Sequence, residues 1–322
     1  MHASTKAQIV AIIKLFLFFH LGVTFTCFAV PACVESSSHY GDAIFADIRG
    51  GAVESIDERS VTIINQFLLT TSESQNNDFF IQGWRWHCMA LIRDAGRLKR
   101  LAEHLSNNKV DDSGLEALIT AADYVVNFNM AGLYRVESRM FVKWLRKNLC
   151  NEDADAIRDS SNAAATSTAF GSVIDKIEEQ RIACEKLGKE LYEKANVAFS
   201  PFITFEQRQR HLHEVVRLST RLSDKLHSLR NIQETLIVPA ISQIVSASEQ
   251  KSFNNKVLLN LGLLESRIHL VGMHDAVWES GSEIEKATFQ KDIPYVARMM
   301  IERWRKSLYA PKGAWALDYG LQ

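Results

Sequence analysis

Apolar side chains recur at steps of three and four through most of the chain after residue 78, the period of one face of an α-helix. A first helix opens after the capping cluster Asn76-Asn77-Asp78. It carries Trp84, Leu91, Ala95, Leu98, Ala102 and Leu105, and Ser106-Asn107-Asn108 stops it. Asp112-Ser113 precede a longer helix with the stripe Leu115, Leu118, Ala122, Val125, Asn129, Leu133, Val136, Met140 and Trp144, ending near Cys150. Residues 152–166 are polar and small and read as a linker. A strongly charged helix over 170–197 follows, with the thin stripe Val173, Ile177, Cys184, Leu187 and Leu191, until Ser200-Pro201 breaks it. The next helical segment, 204–247, runs through Val215, Leu222, Leu226, Leu229, Leu236, Ala240 and Ile244, and Pro239 inside it predicts a kink. Residues 249–255 read as a loop and 256–278 as the last large helix. A short amphipathic helix over 293–308 carries Val296, Met299, Met300, Trp304 and Leu308, and 309–322 reads as an exposed end.

Only 5 prolines and 15 glycines occur in 322 residues, and so few breakers go with long helices rather than with a sandwich or barrel. With 47% hydrophobic residues the chain has ample material for a core. These patterns predict an all-α protein, an antiparallel four-helix bundle with extra helices. A weak internal echo supports it: residues 134–141 resemble 230–237, with Glu137 four residues after Leu133 and Gln233 four after Leu229. A repeat of helix pairs is one way to build such a bundle. The net charge of −1 argues against a nucleic-acid partner, which would go with a basic excess.

The N-terminus changes the picture of location. Lys6 precedes the apolar residues 9–13 and, after Lys14, 15–19, followed by the small residues Gly22, Thr24, Thr26, Cys27 and Ala29. A basic start, a short apolar stretch and small residues at its end describe a signal peptide, with Cys27-Phe28-Ala29 and Val30-Pro31-Ala32 as cleavage patterns. The rival is an anchor over 15–32, a membrane association that applies if the segment stays uncleaved, although His20 sits inside it. Cys27-Phe28-Ala29-Val30-Pro31 also resembles the junction of bipartite plastid presequences in algae with secondary plastids. The acids beyond it (Asp42, Asp47, Glu54, Asp57 and Glu58) run against a transit peptide. The expected organisation is therefore a targeting segment over 1–32 and a flexible leader over 33–77. The helical bundle then spans 78–284, with a charged helical insertion near 167–197, and a C-terminal helix and tail occupy 285–322. The expected location is the secretory pathway or outside the cell, with a plastid or a membrane anchor as alternatives. Cys88, Cys150 and Cys184 lack C-x-x-C spacing and read as small apolar residues, with one disulfide left open.

Candidate chemistry lies where polar residues fall on apolar stripes, because a buried carboxylate or imidazole is costly unless it is paired, neutral or on a metal. His87 stands between Trp84 and Leu91, Glu137 beside Leu133 and Phe141, and Gln233 repeats that position. His269 and His274 on the last helix are about 140° apart on the helical wheel, yet both can flank one site. Helical bundles build metal sites from inward Glu and His side chains. Asp275 and Glu265 are spare acids; His211 and His213, beside Arg208 and Arg210, read as a solvated face. No Gly-rich phosphate loop, G-x-S-x-G or H-E-x-x-H occurs, so no catalytic motif is recognisable. Arg303-Trp304-Arg305-Lys306 reads as a cap on the bundle rather than a membrane contact.

The helix order, Glu137 with Met140-Phe141, the echo from Gln233 to Pro239, His269, and Trp84-Arg85-Trp86-His87 with Gly132-Leu133-Tyr134-Arg135-Val136-Glu137 resemble hemerythrin-like (HHE cation-binding) domains over roughly 78–284. The resemblance implies a metal centre, with iron as the non-haem ion and the metal as partner. It places a ligand at His87, a His-x3-Glu pair at Leu133 and Glu137, and a His-x3-His pair at Leu229 and Gln233. A His-x4-Asp pair falls at His269 and His274. The set departs from the family at Leu133, Leu229, Gln233 and His274, which bears against a di-iron oxygen carrier. The expected function is thus a metal-binding bundle in iron or reactive-oxygen handling. The alternative is a metal-free bundle acting as a structural, ligand-binding or interaction module with an unspecified protein partner.

Overall fold

A computed structural model of the chain describes residues 56–71, 79–108, 111–150 and 163–319. The expected targeting segment 1–32 and much of the expected leader lie outside the described residues. The described residues form helices and connecting turns, without a strand among them, so the all-α expectation holds. Among them, no helix is long and apolar enough to cross a membrane.

Helix α1 (Glu58–Thr71) occupies part of the stretch expected as leader. Ile64, Phe67 and Leu68 are buried on one of its faces, and burying each such side chain stabilises by roughly 1.5–3 kcal/mol. Helix α2 is Gln82–Asn107. Helix α3 runs over 112–149, opened by Asp111, whose side chain accepts from the Gly114 amide at 2.8 Å. Helix α4 is Ala163–Phe199, α5 runs over 205–244, and α6 is Ala247–Leu261. Helices α7 (Leu263–Ser280), α8 (Glu283–Asp292) and α9 (Tyr295–Trp304) complete the order. The loop expected at 249–255 is part of α6: the Ser246 hydroxyl accepts from the Glu249 amide and caps the segment into a helix.

Helix α5 packs along α2 on one side and α4 on the other, α4 also lies against α1 and α3, and α7 packs on α2. The charged helix expected as an insertion is therefore a main layer. Phe170, Val173, Ile174, Ile177, Cys184, Leu187 and Leu191 form its buried face, and its charges other than the buried Arg181 sit away from it. Gly188 permits the close approach of α3: a Cβ there would meet Met130 Cε at 2.5 Å. Cys88, Cys150 and Cys184 are free thiols, the first and last buried, as the small-apolar reading expects.

The helical ladder is not uniform. Helix α3 contains π segments at Tyr124–Met130 and Glu137–Phe141, and α5 contains one at Gln233–Ile237. A π turn takes in one extra residue and rotates the next stretch of helix about its axis. The expected stripe through Met140 and Trp144 therefore shifts by one position, and Glu137, Phe141, Leu145 and Leu149 are buried instead. In α5 the π segment ends just before Pro239, which stands in the first turn of the next α segment, Val238–Ile244, where a missing N–H costs least.

The described part of the expected exposed end, 309–319, is docked instead. Tyr309, Ala314, Ala316 and Leu317 are buried, and Tyr319 Oη hydrogen-bonds the Ser113 hydroxyl at 2.8 Å. Those small and apolar residues have a surface to cover on α2 and α3, so the 3-10 turn Ala314–Asp318 folds back against it.

Candidate functional site

Four of the expected site residues belong to two buried polar pairs, and the first pair joins His87 to His269. Their rings lie 4.3 Å apart between centroids, and His269 stacks on Phe128 at 4.6 Å. Both side chains are almost fully buried. Burial pushes His87 down to about 4, and it holds His269 well below its ordinary value, with the neighbouring His87 and Arg135 adding to the effect. Both imidazoles are therefore neutral at pH 7.

The proton on His87 is assigned by its surroundings. Arg93 donates to Asp94 Oδ1 from Nε and Nη2, at 2.8 and 2.6 Å. Asp94 Oδ2 accepts from Asn129 Nδ2 at 2.8 Å, which turns the Asn129 carbonyl oxygen toward His87 Nε2 at 2.9 Å. An amide oxygen only accepts, so His87 Nε2 carries the hydrogen. Arg93 Nη2 also donates to Tyr309 Oη at 2.7 Å, tying this buried chain to the docked C-terminal segment.

His269 Nε2 is buried without a hydrogen-bond partner and faces Gly132. A Cβ at 132 would lie 2.7 Å from that nitrogen, so glycine on α3 makes the room for the ring.

The second pair is Glu137 with Gln233. Glu137 Oε1 accepts from Trp84 Nε1 at 2.8 Å and from Gln233 Nε2 at 3.4 Å, while Oε2 has no partner. Burial pushes Glu137 up to about 7, against the opposing pull of the Trp84 N–H and of Arg181. Glu137, Gln233, Cys88, Leu229 and Arg230 are among the side chains lining a small cavity with room for about one water molecule.

His274 is elsewhere. It stacks on Trp278 at 4.3 Å and its Nδ1 lies 3.0 Å from Asp275, which Arg305 also engages. The spare acid Glu265 is taken by Arg135 at 2.6 Å.

These residues do not fit an iron centre. Among the described residues no three His, Cys, Asp or Glu side chains gather where one ion would touch them all. A non-haem iron site takes at least a facial set of His and carboxylate donors with open positions. Here His87 keeps a lone pair only on its δ nitrogen, since its ε nitrogen donates to Asn129, and His269 Nε2 lies close to Gly132. Leu133 and Leu229 are buried at the positions where the resemblance implies histidines.

Asp94, Arg93 and Tyr309 were not singled out from the sequence, although they orient His87. Asn129 was not singled out either, although it is a polar residue on an apolar stripe, the same signal that marks Glu137. Asp94, next to the stripe residue Ala95, gives no such signal. No protein-family model, curated protein or solved structure matches the chain.

Proposed function

We propose that this chain is a metal-free helical bundle of the four-helix type, hemerythrin-like in frame, which acts as a structural or interaction module rather than as an iron carrier. The observation that carries the reading is that among the described residues no three His, Cys, Asp or Glu side chains gather around one point, with Leu133 and Leu229 buried where the resemblance implies histidines. The frame reading draws on α2, α3, α5 and α7, which bring His87, Glu137, Gln233 and His269 into one interior. A buried polar set of this kind, satisfied mainly by its own partners, specifies which helices pair.

One observation favours a second reading, a small-ligand site. Glu137 Oε2 lacks a partner, and Glu137 lines a cavity of water size. A water or another small hydrogen-bond donor would satisfy that oxygen, and the Cys88 thiol and Gln233 amide stand beside it.

Elemental analysis of the purified full chain, beside His87→Ala and Glu137→Ala, tests the proposal. The expected result is no stoichiometric metal in any of the three. Stoichiometric iron in the wild type that both substitutions remove would overturn it and restore the metal-binding reading.

A further inference from the structure

Helix α1 meets the rest of the protein through one apolar stripe. Ile64, Phe67 and Leu68 are buried, Ser60 is buried beside them, and Val61 is half-buried at the turn before Ile64. Anchors at steps of three and four are how an amphipathic helix lies in a groove between two others. Here α4 and residues 233–244 of α5 form that groove, and α1 packs on both. Phe67 meets Phe170 of α4 edge-on, with ring centroids 6.0 Å apart.

Side-chain hydrogen bonds tie α1 to itself rather than to its neighbours. Asp57 accepts from the Arg59 amide at 3.2 Å and from the Ser60 hydroxyl at 3.0 Å, so the helix carries its own start signal. The Thr62 hydroxyl donates to Glu58 O at 2.8 Å and the Thr70 hydroxyl to Phe67 O at 2.9 Å. The buried polar pairs of the core belong to α2, α3, α5 and α7, so α1 is no part of them. At 14 residues α1 is short for a helix that stands alone in water, and it gains its order from the groove that receives it.

A seat of this kind selects by apolar spacing, not by covalent connection. A helix of another protein with large apolar side chains at the same steps would bury the same surface. The tether 72–81 raises the effective concentration of α1 to the order of mM, so α1 holds the groove against a partner helix of equal intrinsic affinity.

We propose that the face of α4 and α5 beneath α1 is a helix-binding groove, occupied in cis by α1 and open, once α1 leaves, to an amphipathic helix of a protein partner with the same apolar spacing. The inference rests on the interaction-module reading and names its surface. Metal content does not report on the groove, and peptide binding does not report on metal, so the two can fail separately.

The test uses the full chain beside the double variant Ile64→Asp, Phe67→Asp, which disables α1 and leaves the groove untouched. The probe is a fluorescent peptide of residues 56–71, read by anisotropy, with a peptide of the same composition in scrambled order as control. The variant should bind the probe saturably and at least about tenfold more tightly than wild type, whose groove is filled, and neither protein should bind the scrambled peptide. Circular dichroism should show that the variant loses no more helix than the 14 residues of α1, and that the bound probe gains helix. No binding to the variant, equal binding to both proteins, or equal binding of the scrambled peptide would overturn the proposal. A loss of helix beyond α1 would overturn it too, because α1 would then be an integral part of the core. So would a wild-type dimer in sedimentation velocity that the variant abolishes, since the groove would then be filled by exchange with a second copy.

Discussion

Glu137 and Gln233 begin matching π turns on two different helices, closed by the amides of Val142 and Val238 five residues on, and Gln233 Nε2 donates to Glu137 Oε1 at 3.4 Å. The weak sequence echo between 134–141 and 230–237 is thus also an echo in backbone geometry. Each π turn breaks the regular ladder where a polar side chain must reach the interior, a placement that recurs at sites with a role beyond packing.

The raised pKa of Glu137 predicts a pH dependence of stability. Its folded value of about 7 lies above the ordinary 4.5, so the folded protein holds the proton more tightly. The associated stability is fully present below pH 4.5 and is lost as pH rises through 7, on the order of 3 kcal/mol in all. Glu137→Gln should remove that slope and be the more stable protein at pH 8. Urea unfolding across this range checks it; parallel curves for the two proteins would refute it.

His87 acts in the opposite direction. Its folded value of about 4 lies below the ordinary 6.5, so its stability contribution is present above pH 6.5 and is lost as pH falls through 4. His269 is lowered too and should add to this acid sensitivity. His87→Gln keeps a donor for Asn129 and should flatten the acid limb of the unfolding curve. An unchanged limb would show that His87 titrates normally in the folded protein.

Gly132 and His269 are coupled by contact. Gly132→Ala places a methyl 2.7 Å from His269 Nε2 and should cost roughly 1–3 kcal/mol. In His269→Ala the ring is gone, so adding Gly132→Ala should cost much less. A double-mutant cycle by thermal unfolding measures the difference, and additive effects would mean that the close approach is absent.

Asp94 holds the chain from Arg93 to His87. Asp94→Ala leaves a buried guanidinium without its carboxylate and should cost roughly 3–5 kcal/mol. Tyr309→Phe removes one acceptor from Arg93 and should cost roughly 1–3 kcal/mol. Equilibrium denaturation ranks the two, and a loss in Tyr309→Phe as large as that in Asp94→Ala would contradict this order.

The family resemblance can be tested by restoring what the chain lacks. Leu229 lines the cavity beside Glu137 and Gln233, and Leu133 is buried one helical turn before Glu137. Leu133→His with Leu229→His should lower stability without metal, since polar groups are being buried. Added zinc should then raise the melting temperature of the variant but not of the wild type. A variant that folds yet shows no shift with zinc would count against a hemerythrin-like arrangement of these positions.

The sequence by itself determined the class of structure and the polar positions worth suspecting. Helical periodicity is a local property, so the stripes placed most of the long helices, but α4 begins at Ala163 rather than 170 and the helix expected over 256–278 is divided at Gly262; His87, Glu137, Gln233 and His269 were legible as polar residues on helices with apolar faces. Only the tertiary structure decided how they pair. The His87 proton depends on Asp94 and Arg93 of its own helix acting through Asn129 of another, and no spacing along one helix encodes that. The π turns lay equally beyond local reading, because they arise where packing demands one extra residue, and they moved burial from Met140 and Trp144 to Phe141 and Leu145. The docked chain end belongs with them: a short run of small residues such as Ala314 and Ala316 is apolar enough to bury only when a neighbouring helix supplies the surface.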